Sequence, residues 1–259
     1  MTPLVSIVIS NYNYARFLRN TLTSCINQTF HDIEVVVYDD KSTDDSRALM
    51  LEMMSIDTRI RCIFGDVNRG YSRGKNTSIK HSKSDLIVHL DADDMLTEDS
   101  IERRFNFMKA KPSVDMVCGH AYFVGMESLQ SCYEAGTSLP IDREGRKRKT
   151  SEVVVTRVTG ASQIHAQTVM LRRNVFDRVG LYDEDLRSKS DKEMWERMLF
   201  SKMDIRKMSV PVAYYRVHDE SMSRVRTRTP SVNNQIKALF NEKVAMRKKG
   251  ITRENTLFP

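Results

Sequence analysis

The chain has 259 residues, of which 40% are hydrophobic and 29% are charged, and its formal net charge at pH 7 is +7. This composition is ordinary for a soluble protein with one large or two small domains, long enough to bury a sizeable core. The longest apolar runs are strand-sized, so the sequence excludes a helix of roughly 20 apolar residues that would cross a bilayer.

The cysteines are widely spaced and form no Cys-x-x-Cys pair. They are Cys25, Cys62, Cys118 and Cys132. This spacing favours reduced thiols over a zinc site or a disulfide framework. The first residues of the chain read directly as a strand and not as a secretory signal. We therefore expect a cytoplasmic protein.

The positive net charge suits an acidic ligand, an anionic membrane surface or nucleic acid. The densest basic run is 143–149. We interpret it as a solvated loop, with contact to a phosphate or a lipid headgroup as the sharper alternative. No aromatic residue is interleaved with these basic residues, as a nucleic-acid site would require. We expect no nucleic-acid partner and keep peripheral membrane association as an alternative.

Strand and helix patterns alternate through the first 112 residues. Strands are predicted at 4–10, 33–38, 61–64 and 86–90, and helices at 15–29, 43–54, 73–81 and 97–111. Such alternation implies parallel strands joined by right-handed crossovers. We therefore expect an open α/β sheet of the nucleotide-binding kind.

The second half of the chain lacks this strict alternation. Strands are predicted at 114–124, 153–158 and 212–217, and helices at 173–179, 191–201 and 233–249. About thirty loop-rich residues follow the first of these strands. We expect this half to extend the first sheet and not to form a separate one.

Three carboxylates follow the predicted strand 86–90, in the segment 91–94 (Asp-Ala-Asp-Asp). Like charges this close resist ionising together unless a cation neutralises them. A divalent metal such as Mg²⁺ or Mn²⁺ is one explanation, because it prefers oxygen ligands and is often shared with substrate phosphates. The other explanation is a helix N-terminus enriched in acids, which complements the helix dipole. The residues alone leave both open.

A second acidic strand end lies at Asp39 and Asp40. An acid just past a strand can accept hydrogen bonds from a ribose or a base N–H group. Helix capping is the alternative, and it fits Asp44 better than Asp39. The segment 68–76 lies between the two acidic strand ends and carries glycines and cations, which suit a diphosphate. The alternative is that this segment is a solvated loop.

Six segments, taken together and in order, resemble the family 2 glycosyltransferases. They are 5–13 (Val-Ser-Ile-Val-Ile-Ser-Asn-Tyr-Asn), 28–30 (Gln-Thr-Phe), 34–40 (Glu-Val-Val-Val-Tyr-Asp-Asp), 91–94 (Asp-Ala-Asp-Asp), 190–195 (Ser-Asp-Lys-Glu-Met-Trp) and 214–223 (Tyr-Tyr-Arg-Val-His-Asp-Glu-Ser-Met-Ser). The resemblance implies a GT-A fold: a Rossmann-like, open mixed sheet flanked by helices, with a C-terminal acceptor-binding portion. It implies a glycosyltransferase domain over 1–225, with a nucleotide-binding half (1–112) and an acceptor-binding half (113–225), and a basic helical extension over 226–259.

The activity implied is inverting transfer of a sugar from a nucleotide sugar, a UDP-sugar as in many relatives, with Mn²⁺ or Mg²⁺ as cofactor. The acceptor would be a glycan, a lipid-linked glycan or a protein, in glycan or surface polysaccharide synthesis. The segment Gln-x-x-Arg-Trp of processive synthases is absent from the sequence, so one sugar per encounter is expected. A non-catalytic nucleotide-sugar-binding protein is the alternative.

The resemblance also assigns roles to residues. Ser10, Asn11, Tyr12 and Asp39 would line the pocket for the base, and Lys75 would touch the nucleotide, although relatives usually have Arg there. Asp91 and Asp93 would contact ribose and metal, with Asp93 and His218 as the metal ligands.

Asp191 would be the general base that removes the proton of the acceptor hydroxyl, with simple capping of its helix as the alternative. Lys41 departs from the family, which usually has Gly after the two acids. His165 and Gln167 are weak candidates for the acceptor pocket. The sequence predicts neither the donor sugar nor the oligomeric state.

Overall fold

The computed structural model describes residues 2–125, 153–186, 188–221 and 230–248 of the chain. The first half contains β1 (Val5–Asn11), α1 (Ala15–Ile26), β2 (Ile33–Asp39), α2 (Ser46–Ile56), β3 (Ile60–Phe64), α3 (Tyr71–His81), β4 (Leu86–Asp91), β5 (Met95–Leu96) and α4 (Ser100–Ala110). The predicted alternation is thus present, with an additional two-residue strand, β5.

Two helices of the first half begin three residues later than predicted. α2 starts at Ser46, and just before it the Asp44 carboxylate accepts from the backbone N–H groups of Ala15 and Ser46 at 2.9 and 3.0 Å, which holds this part of the chain in a turn. α4 starts at Ser100, because the N–H group of Thr97 still donates to the carbonyl of Val212 in the sheet at 3.2 Å. A local turn and sheet pairing therefore set the two helix starts.

The second half contains β6 (Met116–Gly125), β7 (Val155–Arg157), β8 (Met170–Arg172), α5 (Val175–Val179), α6 (Ser190–Phe200), β9 (Ile205–Val217) and α7 (Pro230–Lys248). Short 3₁₀ turns lie at Ala161–Gln163 and Ala166–Thr168. The basic run 143–149, Cys132 and the last residues of the predicted extension lie outside the described residues.

The described strands form one mixed sheet with the order β3-β2-β1-β4-β8-β6-β9-β5, and β7 pairs with β9. β1 to β4 are parallel neighbours where they pair. β8 runs antiparallel to both β4 and β6, and β9 is parallel to β6. The carboxyl ends of β1, β2, β4, β6 and β9 therefore meet at one edge. The predicted fold class is confirmed, whereas the domain limits stay a prediction.

Apolar layers cover both faces of the sheet. Ile7 and Ile9 of β1 pack on the face that α1, α2 and α4 cover, whereas Val8 packs with α3, α5 and α6 on the other. This alternation of neighbours along one strand is the geometry of a strand buried on both faces. Because α3 and α6 share a face, helix starts from both halves of the chain lie beside the carboxyl edge.

Two expectations from composition can be compared with the described residues. Cys25, Cys62 and Cys118 carry no disulfide. In the ranges that the structure describes, no helix combines the length and the apolar character needed to span a membrane.

Candidate active site

Four of the predicted site residues lie at neighbouring strand ends. The register of β1 and β2 pairs Asn11 with Asp39, and that of β1 and β4 pairs Ser10 with Asp91. The structure thus brings residues from distant parts of the sequence together at the carboxyl edge, where open α/β sheets bind ligands.

Asp39 is 3% exposed, and neutral donors hold its carboxylate. Oδ1 accepts from Asn11 Nδ2 at 2.8 Å and from the hydroxyl of Ser42 at 2.5 Å, and Oδ2 accepts from the Ser42 N–H group at 3.0 Å. Tyr12, by contrast, is 44% exposed. The Asp39 carboxylate is therefore fixed in direction, which suits hydrogen-bond recognition of a planar ligand edge.

Asp40 and Lys41 shape the turn that follows. The Asp40 carboxylate accepts from the N–H groups of Arg69 and Gly70 at 2.8 and 2.6 Å, just before α3 begins. Lys41 has a φ of 61°. This left-handed conformation favours glycine and costs a residue with a side chain about 1 kcal/mol. Lys41, where the family usually has Gly, therefore adopts a backbone conformation that glycine would adopt without this cost.

Lys75 is fully buried between β1 and β4. Its ammonium donates to the carbonyls of Leu90 and Val8 at 2.5 and 3.3 Å and lies 3.3 Å from Asp91 Oδ1. Burial lowers the pKa of Lys75, and the negative charge of Asp91 opposes this shift. In this structure the buried ammonium of Lys75 pairs with Asp91. Contact of Lys75 with a nucleotide stays a prediction.

Close packing of α3 on β1 makes this position of Lys75 possible. A Cβ atom at Gly74 would overlap the hydroxyl of Ser10 and lie 3.1 Å from the ring of Tyr38. One turn later, the hydroxyl of Ser78 donates to the carbonyl of Ile9 at 2.9 Å. Glycine at residue 74 thus lets the helix backbone approach the strand.

Asp93 and His218, the two predicted metal ligands, are in contact. His218 Nε2 lies 2.9 Å from Asp93 Oδ2. His218 is buried against the rings of Tyr14 and Phe17, with ring centroids at 5.9 and 4.6 Å. The aromatic neighbours restrict the imidazole, so its ring nitrogen stays directed at Asp93.

Asp94 is 1% exposed, and its Oδ1 accepts from the Arg216 N–H group at 2.8 Å. Burial raises the pKa of Asp94 well above its usual range, and the charges of Asp93 and Asp91 add to this effect. The three carboxylates therefore have different surroundings. Asp91 faces Lys75, Asp93 faces His218, and the buried carboxyl of Asp94 favours the protonated form.

The donor chemistry of Asp93 and His218 fits a divalent cation only in part. Among the residues that the structure describes, no three His, Cys, Asp or Glu side chains are grouped as a metal site. One carboxylate oxygen and one imidazole nitrogen suit Mn²⁺. A cation held by these two side chains would take its other ligands from substrate phosphates and water, which is common for such metals.

Asp191 lies in the first turn of α6 and is half-buried. The pKa of Tyr71 is raised well above its usual value, first by burial and then by charges that include Asp91 and Asp191. The Tyr71 hydroxyl donates to Asp91 Oδ1 at 2.7 Å. The start of α6 thus lies within electrostatic range of a side chain that holds the acidic end of β4.

Arg197 of α6 fixes the helix to the preceding segment. Arg197 Nε lies 2.9 Å from Glu193 Oε1, and both side chains are buried. The guanidinium also donates to the carbonyl of Leu181 at 2.8 Å and to that of Val179. This anchoring keeps Asp191 in register with the end of α5.

Sequence reasoning missed Tyr71 and Arg216 as members of the site. Tyr71 is four residues before Lys75 on α3, a spacing that places two side chains on one helix face. Arg216 is two residues before His218, a spacing that places both on one face of a strand. Arg216 Nε donates to the carbonyl of Asp93 at 2.8 Å. Both residues could have been found by extending these periodicities from the predicted ones.

The weak acceptor candidates, His165 and Gln167, lie just before and within the short 3₁₀ turn Ala166–Thr168. The ring of His165 meets that of Phe123 edge-on, with centroids 5.8 Å apart, and Gln167 is 2% exposed. The structure therefore places both beside the second half of the sheet, and their role in binding an acceptor stays a prediction.

Among curated proteins, the chain is similar to an uncharacterized glycosyltransferase of Haemophilus influenzae, with 33% identity over 128 residues, or 49% of this chain and 51% of the relative. It is 23% identical over 222 residues to TuaG of Bacillus subtilis, a protein named provisionally as a teichuronic acid biosynthesis glycosyltransferase, covering 85% of this chain and 82% of TuaG. The chain spans between half and three fifths of the length of the first relatives it matches.

Among solved structures, S. aureus TarS in complex with UDP is similar, with a TM-score of 0.65 and 20% identity over 86% of this chain and 63% of TarS. The mannosyltransferase PcManGT from Pyrobaculum calidifontis, in complex with GDP-Man and Mn²⁺, has a TM-score of 0.64 and 17% identity, over 88% of this chain and 61% of that one. These similarities confirm the GT-A fold. The family model described as Glycosyl transferase family 2 matches residues 6–180 of this chain. The chain belongs to glycosyl transferase family 2.

Proposed function

We propose that the protein is an inverting, metal-dependent glycosyltransferase that moves a sugar from a nucleotide sugar, preferentially a UDP-sugar, to an acceptor hydroxyl. The observation that carries this proposal is the sheet edge itself. It combines a carboxylate held by neutral donors at Asp39 with a carboxylate–imidazole pair at Asp93 and His218, and a separate carboxylate, Asp191, lies in the first turn of α6.

Asp39 is the residue that accepts a hydrogen bond from the base of the donor. Asn11 and Ser42 fix its carboxylate before any ligand arrives, so binding costs little side-chain ordering. Ser10 and the exposed ring of Tyr12 lie next to this position on β1 and just after it. TarS with UDP and PcManGT with GDP-Man support a nucleotide-sugar donor.

Asp93 and His218 are the side chains that hold Mn²⁺ or Mg²⁺ in this proposal. When bound, the cation supplies positive charge that stabilises the departing diphosphate. Asp91, supported by Lys75 and Tyr71, stays available to the ribose. The Mn²⁺ in PcManGT supports the use of a metal, and the name of TuaG supports a place in surface polysaccharide synthesis.

Asp191 takes the proton of the acceptor hydroxyl. As that O–H bond breaks, the acceptor oxygen forms a bond to the anomeric carbon, and the bond from that carbon to the diphosphate oxygen breaks with its electron pair. A single displacement of this kind inverts the anomeric carbon and needs no second carboxylate as nucleophile. The three acidic positions therefore have separate tasks.

The test is turnover of a panel of nucleotide sugars with Mn²⁺ and then with EDTA, in the wild type and in Asp191→Asn. We expect Asp191→Asn to lose about 10²- to 10⁴-fold in turnover, the range for a lost general base. Donor affinity, measured by calorimetry, should stay within about twofold, because Asp191 belongs to the chemical step and not to donor binding.

Glu196→Gln is the matched control, since it removes another half-buried carboxylate from α6. Full turnover by Asp191→Asn would remove Asp191 from the base role. Tight donor binding by the wild type with no turnover of any donor would favour the non-catalytic binding protein instead.

A further inference from the structure

The terminal helix α7 packs on α6, the helix that carries Asp191. Its described contacts converge on the loop between α5 and α6, residues 180–189, of which residue 187 is outside the described part, and on the first turn of α6. This loop leads directly into Asp191. Contacts that fix this loop therefore also fix the position of the Asp191 carboxylate.

On one side, α3 holds the α5–α6 loop. Asn76 exchanges two hydrogen bonds with the backbone of Tyr182, at 2.9 and 3.0 Å. Arg73 lies 2.8 Å from Glu184, and the hydroxyl of Ser72 donates to the carbonyl of Leu186 at 2.9 Å. The same helix contributes the support of Asp91, so α3 ties the loop to the acidic end of β4.

On the other side, Lys243 of α7 forms a forked ion pair with the loop. Its ammonium lies 3.2 Å from Asp183 and 2.7 Å from Asp185. The Asp183 side chain is 3% exposed and that of Lys243 is 13% exposed. The Asp183 carboxylate also accepts from the Asp185 N–H group at 3.0 Å, and loss of the Lys243 cation would leave part of its charge uncompensated, which is costly at this depth.

Phe240, one turn before Lys243, lies near two lysines, one on each side of Asp191 in the sequence. The ammonium groups of Lys189 and Lys192 lie 5.7 and 6.0 Å from the centroid of its ring. At this range a cation is attracted to the ring face. Lys189 has a φ of 61°, so the residue that precedes α6 holds a conformation that its surroundings must stabilise.

We propose that α7 is a positioning element for the transfer reaction, in which Lys243 and Phe240 fix the α5–α6 loop and thereby the Asp191 carboxylate. This inference rests on the proposed function, because it assigns Asp191 to the chemical step. Lys243 and Phe240 touch no reacting atom in it. They act through the loop.

The test compares Lys243→Met and Lys243→Arg with the wild type. Hydrogen exchange of residues 180–192 is measured by mass spectrometry without any donor, and kcat and the donor KM are measured by turnover. Lys243→Met should raise exchange in 180–192 and lower kcat roughly fivefold with KM unchanged, because small misplacements of a catalytic group slow the chemical step. Lys243→Arg should restore both, since it keeps the cation.

Glu242→Met is the matched control, because it replaces an exposed charged side chain at the neighbouring position of the same helix. The proposal is overturned if Lys243→Met resembles this control in either exchange or kcat, or if its KM changes and its kcat does not. Phe240→Leu takes the place of Lys243→Met if the latter does not fold, with the same expected results. A wild type that turns over no donor rejects the proposed function, whereas exchange still decides whether α7 fixes the loop.

Discussion

The acidic ends of β2 and β4 present carboxylates at the same sheet edge, but the two ends are stabilised in different ways. At the end of β2, Asp39 is met by neutral donors, an amide, a hydroxyl and a backbone N–H group. At the end of β4, Asp91 faces the buried ammonium of Lys75 and Asp93 faces the imidazole of His218. The end of β2 thus has only neutral donors around its carboxylate, whereas the end of β4 includes the cation Lys75.

This difference indicates what each end can do. Neutral donors fix the direction of a carboxylate without cancelling its charge, which suits a directional hydrogen bond to a ligand. The ammonium of Lys75 offsets part of the negative charge of Asp91, and an added metal or diphosphate would alter the balance of charge there. We therefore expect the first end to recognise a ligand by a directional hydrogen bond and the second end to bind charged groups, and three variants test this division.

The largest effect is expected from Asp93→Ala. It removes the carboxylate that pairs with His218, so Mn²⁺-dependent donor binding should weaken at least about 100-fold, as when a metal site loses a key ligand or its support. Calorimetry with UDP in the presence of Mn²⁺ and of EDTA measures this. Glu98→Ala, which removes an exposed carboxylate nearby, is the control, and equal Mn²⁺ dependence in both variants would count against Asp93 as a ligand.

A smaller effect, on stability, is expected from Lys75→Met. The variant removes one donor from the buried carbonyls of Val8 and Leu90 and the cation from Asp91, so the free energy of unfolding should fall by about 2 kcal/mol. Urea unfolding measures this, with Lys80→Met as an exposed control on the same helix. Unchanged stability together with weaker UDP binding would instead support the nucleotide contact predicted from the family.

The smallest effect is expected from Asp39→Asn. The amide keeps the shape of the carboxylate but loses its charge, so affinity for the nucleotide should fall about tenfold, the cost of weakening one charge-assisted hydrogen bond. The Mn²⁺ dependence of binding should not change. Asp66→Asn, at an exposed position, is the control. Loss of Mn²⁺ dependence in Asp39→Asn would break the division between the two strand ends.

Most of the fold was predictable because long apolar runs such as β1 and β2 are buried on both faces. The short strands β5 and β8 were missed, since two or three residues carry no period and their pairing is long-range. β9 begins seven residues earlier than predicted, because its first part mixes charged and apolar residues. That part also contains Pro211, which lies at an irregularity in the pairing with β6.

The site was predictable as a set of acids at strand ends, because strand direction alone brings such ends together. The partners of those acids were not predictable in the same way. Lys75 stands in a polar, glycine-containing segment, and only the packing of α3 on β1 shows that its ammonium is buried beneath Asp91. The protonated state favoured at Asp94 likewise depends on burial, which the segment 91–94 does not reveal by itself.

The close approach of α3 to β1 at Gly74 also limits which sequences can encode this site. A single added methyl group there would overlap the Ser10 hydroxyl and crowd the ring of Tyr38, so that hydroxyl would have to turn and α3 would have to shift, which would disturb the contact of Lys75, the next residue, with Asp91. Arg73, on the other side of Gly74, is exposed and is not subject to this packing limit. In a library randomised at both positions and selected for folding alone, residue 73 should accept many side chains, whereas residue 74 should accept few besides glycine.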